Sequence, residues 1–164
     1  MTLMSGGCLC GAVRYEITAK PNASITCHCR DCQYVAGGGP AHVMLFKRDA
    51  VRLTKGDTRT VWVTAQSGQR VWRRFCETCG THLFAGSAGR DDLQAVKVGS
   101  LDDPSTFRAQ AEIWTSSAPP WAHRDTRVPQ FRENPTLGGE AVVAFAKSVG
   151  VRVAGAVLRR REIG

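Results

Sequence analysis

The segment Cys27-His28-Cys29-Arg30-Asp31-Cys32 places three cysteines within six residues, and it leads into the glycine-rich stretch Gly37-Gly38-Gly39-Pro40. The remaining four of the seven cysteines form two pairs, Cys8 with Cys10 and Cys76 with Cys79. Closely spaced thiolates are soft ligands that favour tetrahedral zinc. The cysteine pattern therefore predicts a zinc-binding protein.

Seven cysteines cannot fill two zinc sites of four ligands each. Zinc with four protein ligands is structural, whereas zinc with three keeps a position for water or substrate and is typical of catalysis. Only the central segment offers three sulfurs locally, so we expect Cys27, Cys29 and Cys32 to form an open, catalytic site. The two separated pairs are then expected to join distant parts of the chain in a structural site made by Cys8, Cys10, Cys76 and Cys79.

The central segment leaves some alternatives open. In an extended Cys-x-Cys segment the residues i and i+2 project from the same face, so His28 would point away from a metal shared by Cys27 and Cys29. If the segment is a turn, His28, His42 or His82 could complete a second closed site. Redox-active Cys-x-x-Cys pairs lack the βαβ context here, and an odd number of cysteines disfavours a disulfide framework.

Length and composition predict one domain: 164 residues with 43% hydrophobic content suffice for a proper core. The first seven residues are short and polar, and no stretch is apolar enough to suggest a leader or a membrane span. Free thiolates survive best in a reducing compartment, which favours a cytoplasmic location.

The formal charge of +8 raises the question of nucleic-acid binding. However, the 22 basic residues are scattered, and the two densest groups, at 70–74 and 159–161, lie far apart in sequence. Seven thiolates with two zinc ions would also offset three of the positive charges. A nucleic-acid partner is therefore disfavoured, and the remaining charge could steer a small anionic substrate.

Short apolar or alternating runs between turn residues predict a mainly β fold. The predicted strands are 13–18, 42–46, 60–64, 71–75, 93–98 and 111–115, with turns at 21–24 and 55–57, a hairpin loop at 66–69 and a short helical turn before Phe107. Trp114 and Trp121 are interpreted as core, with a pocket lining as the alternative. Residues 1–136 are predicted to form the zinc-binding catalytic domain. Residues 137–164 are predicted to form an extension with a helix over 140–149 and a basic tail.

Several motifs together resemble one known family. They are Gly7-Cys8-Leu9-Cys10-Gly11, the Cys-His-Cys-x-x-Cys at 27–32, Ser67-Gly68, Arg74-Phe75-Cys76-Glu77-Thr78-Cys79-Gly80-Thr81 and Gly99-Ser100-Leu101-Asp102-Asp103. In this order, over roughly residues 5–135, the pattern resembles the glutathione-dependent formaldehyde-activating enzyme family, which shares its domain with centromere protein V.

The resemblance implies a fold, two zinc ions and an activity. The fold would be a zinc-pinned β-tent of short antiparallel sheets, and the ligand division would be the one reached by counting. The activity would be that of a carbon-sulfur lyase: reversible addition of a thiol to an aldehyde, giving S-(hydroxymethyl)glutathione when glutathione meets formaldehyde. The expected partners are thus a small thiol and an aldehyde, with no membrane, in a monomer or homodimer.

The residues that would serve this reaction are predicted only as candidates. The proton for the new alkoxide could come from His28, Asp31 or Tyr34 beside the central cysteines, or from His82. The carboxylates of a glutathione-like thiol could be bound by Arg30, Arg70 and Arg74.

Two other functions remain open. A zinc-stabilised module that binds nucleic acid or protein without catalysis would use both zinc ions structurally. A thiol sensor would release the metal of the three-cysteine site on oxidation.

Overall fold

The computed structural model describes residues 1–135, which form ten strands and one α-helix. The helix, α1, spans Arg30–Ala36. The strands are β1 Met4–Gly7, β2 Arg14–Ile17, β3 Ala23–Cys27, β4 Ala41–Lys47, β5 Val51–Lys55, β6 Arg59–Thr64, β7 Arg70–Phe75, β8 His82–Ser87, β9 Leu93–Lys97 and β10 Ala111–Ile113. The predicted mainly β fold is confirmed.

The strands form two sheets. The smaller has the order β1-β2-β5, and the larger has the order β10-β3-β4-β9-β8-β7-β6. All neighbours pair antiparallel except β10, which pairs parallel to β3. The expected antiparallel sheets are therefore present, with this one parallel pair as an exception. The parallel pair also brings Cys27, at the end of β3 where the central cysteines begin, beside Ile113 of β10.

One hydrophobic core draws on both sheets. Tyr15 and Ile17 come from the smaller sheet, and Phe46, Leu83 and Trp72 come from the larger one. The Tyr15 ring packs edge-on against Phe84, and its hydroxyl lies 2.8 Å from Ser100 Oγ. Burial raises the pKa of Tyr15 to about 12, so this phenol stays protonated and available for that hydrogen bond at neutral pH.

The six predicted strands and the hairpin loop between β6 and β7 are present, whereas β1, β3, β5, β8 and α1 were not predicted. The turn predicted over 21–24 is wrong in its second half, because Ala23 and Ser24 belong to β3. These small residues give little strand signal alone, but β3 is buried throughout and pairs on both sides, with β4 and β10. In β1, Gly6 must lack a side chain, since a Cβ there would lie 2.3 Å from the Ser100 carbonyl oxygen.

The helix α1 follows the central cysteines directly. Its N-cap is Cys29, whose sulfur accepts from the Cys32 amide at 3.4 Å, and its C-cap is Gly37 in the left-handed conformation. Only seven residues long, it falls below the length at which periodicity identifies a helix.

The helix predicted over 140–149 and the basic tail lie outside the described residues, and the division at residue 136 stays a prediction. No helix within residues 1–135 has the length and hydrophobicity needed to span a membrane.

Replacement of Gly86 by Ala is expected to destabilise the fold. An added Cβ would lie 2.3 Å from Cζ2 of Trp72, a core side chain that is only 3% exposed and has little room to shift. Overpacking of this kind costs about 1–3 kcal/mol. Urea unfolding of the zinc-loaded protein measures it, with Gly99→Ala as the control, because nothing lies within 4 Å of a Cβ at Gly99. Equal stability of the two variants would contradict the packing argument.

Candidate functional site

The two outlying cysteine pairs meet in one cluster, as the sequence predicted. The sulfurs of Cys8, Cys10, Cys76 and Cys79 all lie within 4.8 Å of one another. Cys8 directly follows β1 of the smaller sheet and Cys76 directly follows β7 of the larger one, so the cluster joins the two sheets. Neighbouring backbone amides hold the geometry, including the Val13 amide that donates to Cys8 Sγ at 3.2 Å.

The four sulfurs fit a tetrahedral zinc ion. Zinc–sulfur bonds of about 2.3 Å would place tetrahedral sulfurs roughly 3.8 Å apart. Here Cys8 Sγ lies 3.5 Å from Cys10 Sγ, which lies 3.8 Å from Cys76 Sγ. A hydrogen bond from the Thr81 hydroxyl, with backbone hydrogen bonds, lowers the pKa of Cys79 to about 5, which favours the thiolate that a metal requires.

The central cysteines form a second cluster. Cys27 ends β3, Cys29 caps α1 and Cys32 lies in the first turn of that helix, and their three sulfurs are also within 4.8 Å of one another. No histidine within residues 1–135 joins either cluster. Both groups could therefore hold a metal ion, one through four sulfurs and the other through three.

The charges of the three central sulfurs are strongly coupled. Hydrogen bonds from Cys27 and Cys29, together with the positive charges of Lys97 and Arg73, lower the pKa of Cys32 to about 3. Cys27 donates to Cys29 and Cys32, and these hydrogen bonds, together with burial, raise the pKa of Cys27. One thiolate thus forms easily and the others resist ionisation, so a full set of three thiolates needs a cation among them.

Sequence reasoning missed the two cations beside Cys32. Arg73 lies on β7 and pairs with Asp31 at 3.2 Å, and Lys97 ends β9. Both also act on His82: burial lowers the pKa of this imidazole, and the positive charges of Lys97 and Arg73 lower it further. Its Nδ1 atom is buried and has no hydrogen-bond partner among residues 1–135. His82, Arg73 and Lys97 therefore share the electrostatic surroundings of Cys32.

His28 is fully buried, with 0% exposure. Its Nε2 atom lies 2.8 Å from Oε2 of Glu112 on β10, and the other Glu112 oxygen accepts from the Asp125 amide at 2.7 Å. His28 does not join the three-cysteine group, and its Nδ1 atom is buried without a hydrogen-bond partner among residues 1–135. Glu112 had no sequence signal, because the pairing of β10 with β3 is not visible in the chain order.

Asp31 anchors α1 to the β6–β7 hairpin. One carboxylate oxygen accepts from the Gln66 amide at 2.7 Å, and the other accepts from Arg73. The Gln66 side chain in turn accepts from the Arg30 amide at 3.1 Å and donates to Ser117 Oγ at 3.1 Å. These contacts fix the start of the helix that carries Cys32.

Gln33 makes a second anchor on the same helix. Its buried amide group donates to the His28 carbonyl at 2.7 Å and to the Ser117 carbonyl at 2.8 Å. The segment around Ser117 therefore holds both α1 and the hairpin.

The remaining predicted residues lie at different places. Tyr34 is 77% exposed on α1, where the Arg30 guanidinium lies 4.9 Å from its ring centroid. Arg70 and Arg74 alternate with Arg73 along β7 and so project from its other face, over Trp62 and Trp72 respectively. The structure thus brings Arg30 near the central cysteines but not Arg70 and Arg74.

The two late tryptophans also separate. Trp114 is buried, and its Nε1 donates to Asn134 Oδ1 at 2.9 Å. Trp121 is exposed and lies beside Gly38, in the glycine-rich stretch that follows α1. A pocket role remains a prediction for Trp121.

The fold and the two sulfur clusters define a β protein whose cysteine groups could hold metal ions. The chain belongs to the glutathione-dependent formaldehyde-activating enzyme family, whose sequence model matches residues 3–117. This confirms the resemblance drawn from the motifs.

No curated protein matches this chain significantly. Among solved structures, the crystal structure of a Rhodobacter sphaeroides protein is similar with 19% identity and a TM-score of 0.49, over 77% of this chain and 99% of that one.

Loss of one central sulfur should leave the fold intact. We expect Cys29→Ser to remain folded and to lose about one metal ion per chain, whereas Cys76→Ser should unfold, because Cys76 is buried where the two sheets join. Atomic absorption measures the zinc content of each variant, and near-ultraviolet circular dichroism shows whether it is folded. Unfolding of the Cys29→Ser protein would contradict an open site at 27–32.

Removal of the Asp31 anchor should weaken metal binding at the central cluster. Contacts that orient ligands are worth about 10- to 100-fold in metal affinity, so Asp31→Ala should lose zinc to a chelator that much more readily. Competition with a chromogenic chelator measures this, and Asp57→Ala, an exposed aspartate in a turn, is the matched control. Equal zinc retention by both variants would show that the anchor has no effect on the site.

Proposed function

We propose that this protein catalyses the reversible addition of a thiol to an aldehyde, with glutathione and formaldehyde as the predicted pair. Cleavage of the adduct, the reverse direction, is the carbon-sulfur lyase reaction. Family membership supports the reaction class. The observation that carries the proposal is the three-sulfur cluster, because a zinc ion held by three protein ligands would keep a fourth position for a substrate.

Two zinc ions are proposed for each chain. Cys8, Cys10, Cys76 and Cys79 would hold the structural ion, and Cys27, Cys29 and Cys32 would hold the catalytic one. A zinc ion bound by the three central cysteines would supply a Lewis acid that favours the thiolate form of a nearby thiol.

The reaction needs an oriented nucleophile and one proton transfer. The thiol sulfur forms a bond to the aldehyde carbon, the π bond of the carbonyl breaks, and the proton released by the thiol ends on the new hydroxyl oxygen. Orientation of the two reactants and a proton carrier are therefore the tasks left to the protein.

We assign the proton transfer to His82. Its lowered pKa keeps the imidazole neutral at pH 7, so it can accept a proton, and its Nδ1 atom lacks a partner among residues 1–135. Arg73 and Lys97 would stabilise the developing negative charge on sulfur and oxygen. Tyr34 stays a predicted proton donor from the exposed side of α1.

His28 and Asp31 are proposed as positioning residues. Each bonds to protein groups and fixes the segment that carries the three cysteines, His28 through Glu112 and Asp31 through Gln66 and Arg73. Arg30 is proposed to bind a carboxylate of the thiol, since it starts α1 beside Cys29.

Exchange NMR tests the reaction. The interconversion of free formaldehyde and its glutathione adduct should be faster with the zinc-loaded protein, and the acceleration should disappear in Cys29→Ser. His82→Gln should retain zinc and lose about 10²- to 10⁴-fold in rate, the usual contribution of a general acid–base group.

The controls separate the remaining alternatives. Other small thiols establish whether glutathione is preferred, and Asp57→Ala should leave the rate unchanged. No acceleration with any thiol, in protein that holds two zinc ions, would favour a binding module without catalysis. A rate unaffected by His82→Gln would move the proton transfer to Tyr34 or to water.

A further inference from the structure

A second site lies on the face of β7 that points away from Asp31. There, a cleft of about 360 Å³ is lined by Arg48, Thr60, Trp62, Trp72, Arg74 and Asp91. Trp62 and Trp72 are directly paired across β6 and β7, so both indoles are on this face of the sheet. The cleft is large enough for a small ligand.

Buried donors in the cleft lack acceptors. Nε of Arg48 and Nε1 of Trp72 are buried and have no hydrogen-bond partner among residues 1–135. Both atoms can only donate. Since an unpaired buried donor is costly, two of them on residues that line one cleft favour a ligand that supplies acceptor oxygens.

The cleft also carries uncompensated positive charge. The guanidinium groups of Arg48 and Arg74 lie 5.0 and 5.1 Å from the ring centroid of Trp72. Burial lowers the pKa of Arg74, and the neighbouring Arg48 lowers it further. Among residues 1–135, Arg74 has no carboxylate partner, and Arg48 meets only Asp91 at the long distance of 3.9 Å.

The rim of the cleft adds an aromatic surface and a third cation. Trp62 is 47% exposed, and the Arg70 guanidinium lies 5.5 Å from its ring centroid. The three arginines, Arg48, Arg70 and Arg74, together with Asp91 carry a net charge of +2. This charge matches that of a phosphate monoester, which is about −1.5 to −2 at pH 7. The half-exposed indole offers a surface on which a flat ring can stack.

We infer that this cleft binds a small ligand of the nucleotide class, with its phosphate between Arg48 and Arg74 and its ring on Trp62. The site is separate from the three-cysteine cluster, because Arg73 on the opposite face of the same strand faces Asp31 of α1. Arg70 and Arg74, predicted from the sequence to bind the carboxylates of glutathione, belong to this second site instead. The inference stands independently of the proposed thiol reaction.

Isothermal titration calorimetry on the full-length, zinc-loaded protein tests the inference. The probes are adenosine monophosphate, adenosine, inorganic phosphate and glutathione. We expect adenosine monophosphate to bind more tightly than either of its parts. Arg74→Gln and Arg48→Gln should each weaken its binding about tenfold or more, the usual loss for a hydrogen bond to a charged group.

Trp62→Ala separates the ring from the phosphate. Because Trp62 is at the rim, the variant should fold and should lose roughly tenfold in affinity for adenosine monophosphate with no change for inorganic phosphate. The charge control is Arg52→Gln, which removes an exposed arginine of the smaller sheet that pairs with Glu16. Thiol–aldehyde exchange measured on the same variants should be unchanged.

Several results would overturn the inference. They are the absence of binding at millimolar adenosine monophosphate, equal affinity for adenosine, or an affinity that Arg74→Gln and Arg48→Gln leave unchanged. Displacement of the nucleotide by equimolar glutathione, with loss of exchange activity in Arg74→Gln, would instead return the cleft to the thiol substrate.

Discussion

Repulsion among crowded thiolates is the constraint on which this structure depends. Seven sulfurs are drawn into two groups whose members lie within 4.8 Å of one another, and like charges at that range cannot all form without a cation between them. The four-sulfur group joins the ends of β1 and β7 and so couples the two sheets. The three-sulfur group lies between the end of β3 and the first turn of α1. Hydrogen bonds and ion pairs from other parts of the domain hold this segment in place.

Those contacts come from segments that are distant in sequence. Glu112 reaches His28 because β10 pairs with β3, and Gln66 reaches Asp31 because the β6–β7 hairpin extends over α1. Each contact satisfies a buried or half-buried polar group that would otherwise oppose folding. The segment that carries the three central cysteines is thereby held from both sides, which fixes its geometry.

Much of this site could be predicted from the sequence, because cysteine spacing is a local signal. The number and spacing of the cysteines predicted that Cys27, Cys29 and Cys32 form a group apart from the other four. The alternation of side chains along a strand predicted that His28 is not a ligand of that group. The sequence could not show which other residues lie near the central cysteines, since that depends on the order of strands in the sheet. These residues are Arg73, Lys97, His82 and Glu112. For the same reason β3 and β8 were not predicted: neither has a clear alternating pattern, and each is a strand because neighbours pair with it on both sides.

The strand β7 shows how one short segment can serve two sites. Its odd-numbered residue Arg73 turns toward Asp31 and the cysteine helix, whereas Trp72 and Arg74 turn toward the core and the basic cleft. An arginine count along the sequence treats these residues as one basic patch. Because side chains alternate along a strand, Arg73 on one face lowers the pKa of Cys32. On the other face Arg74 lies with Arg48 beside the indole of Trp72, where the one nearby acid is Asp91. The arginines of β7 therefore contribute to two separate positively charged surfaces rather than to a continuous one.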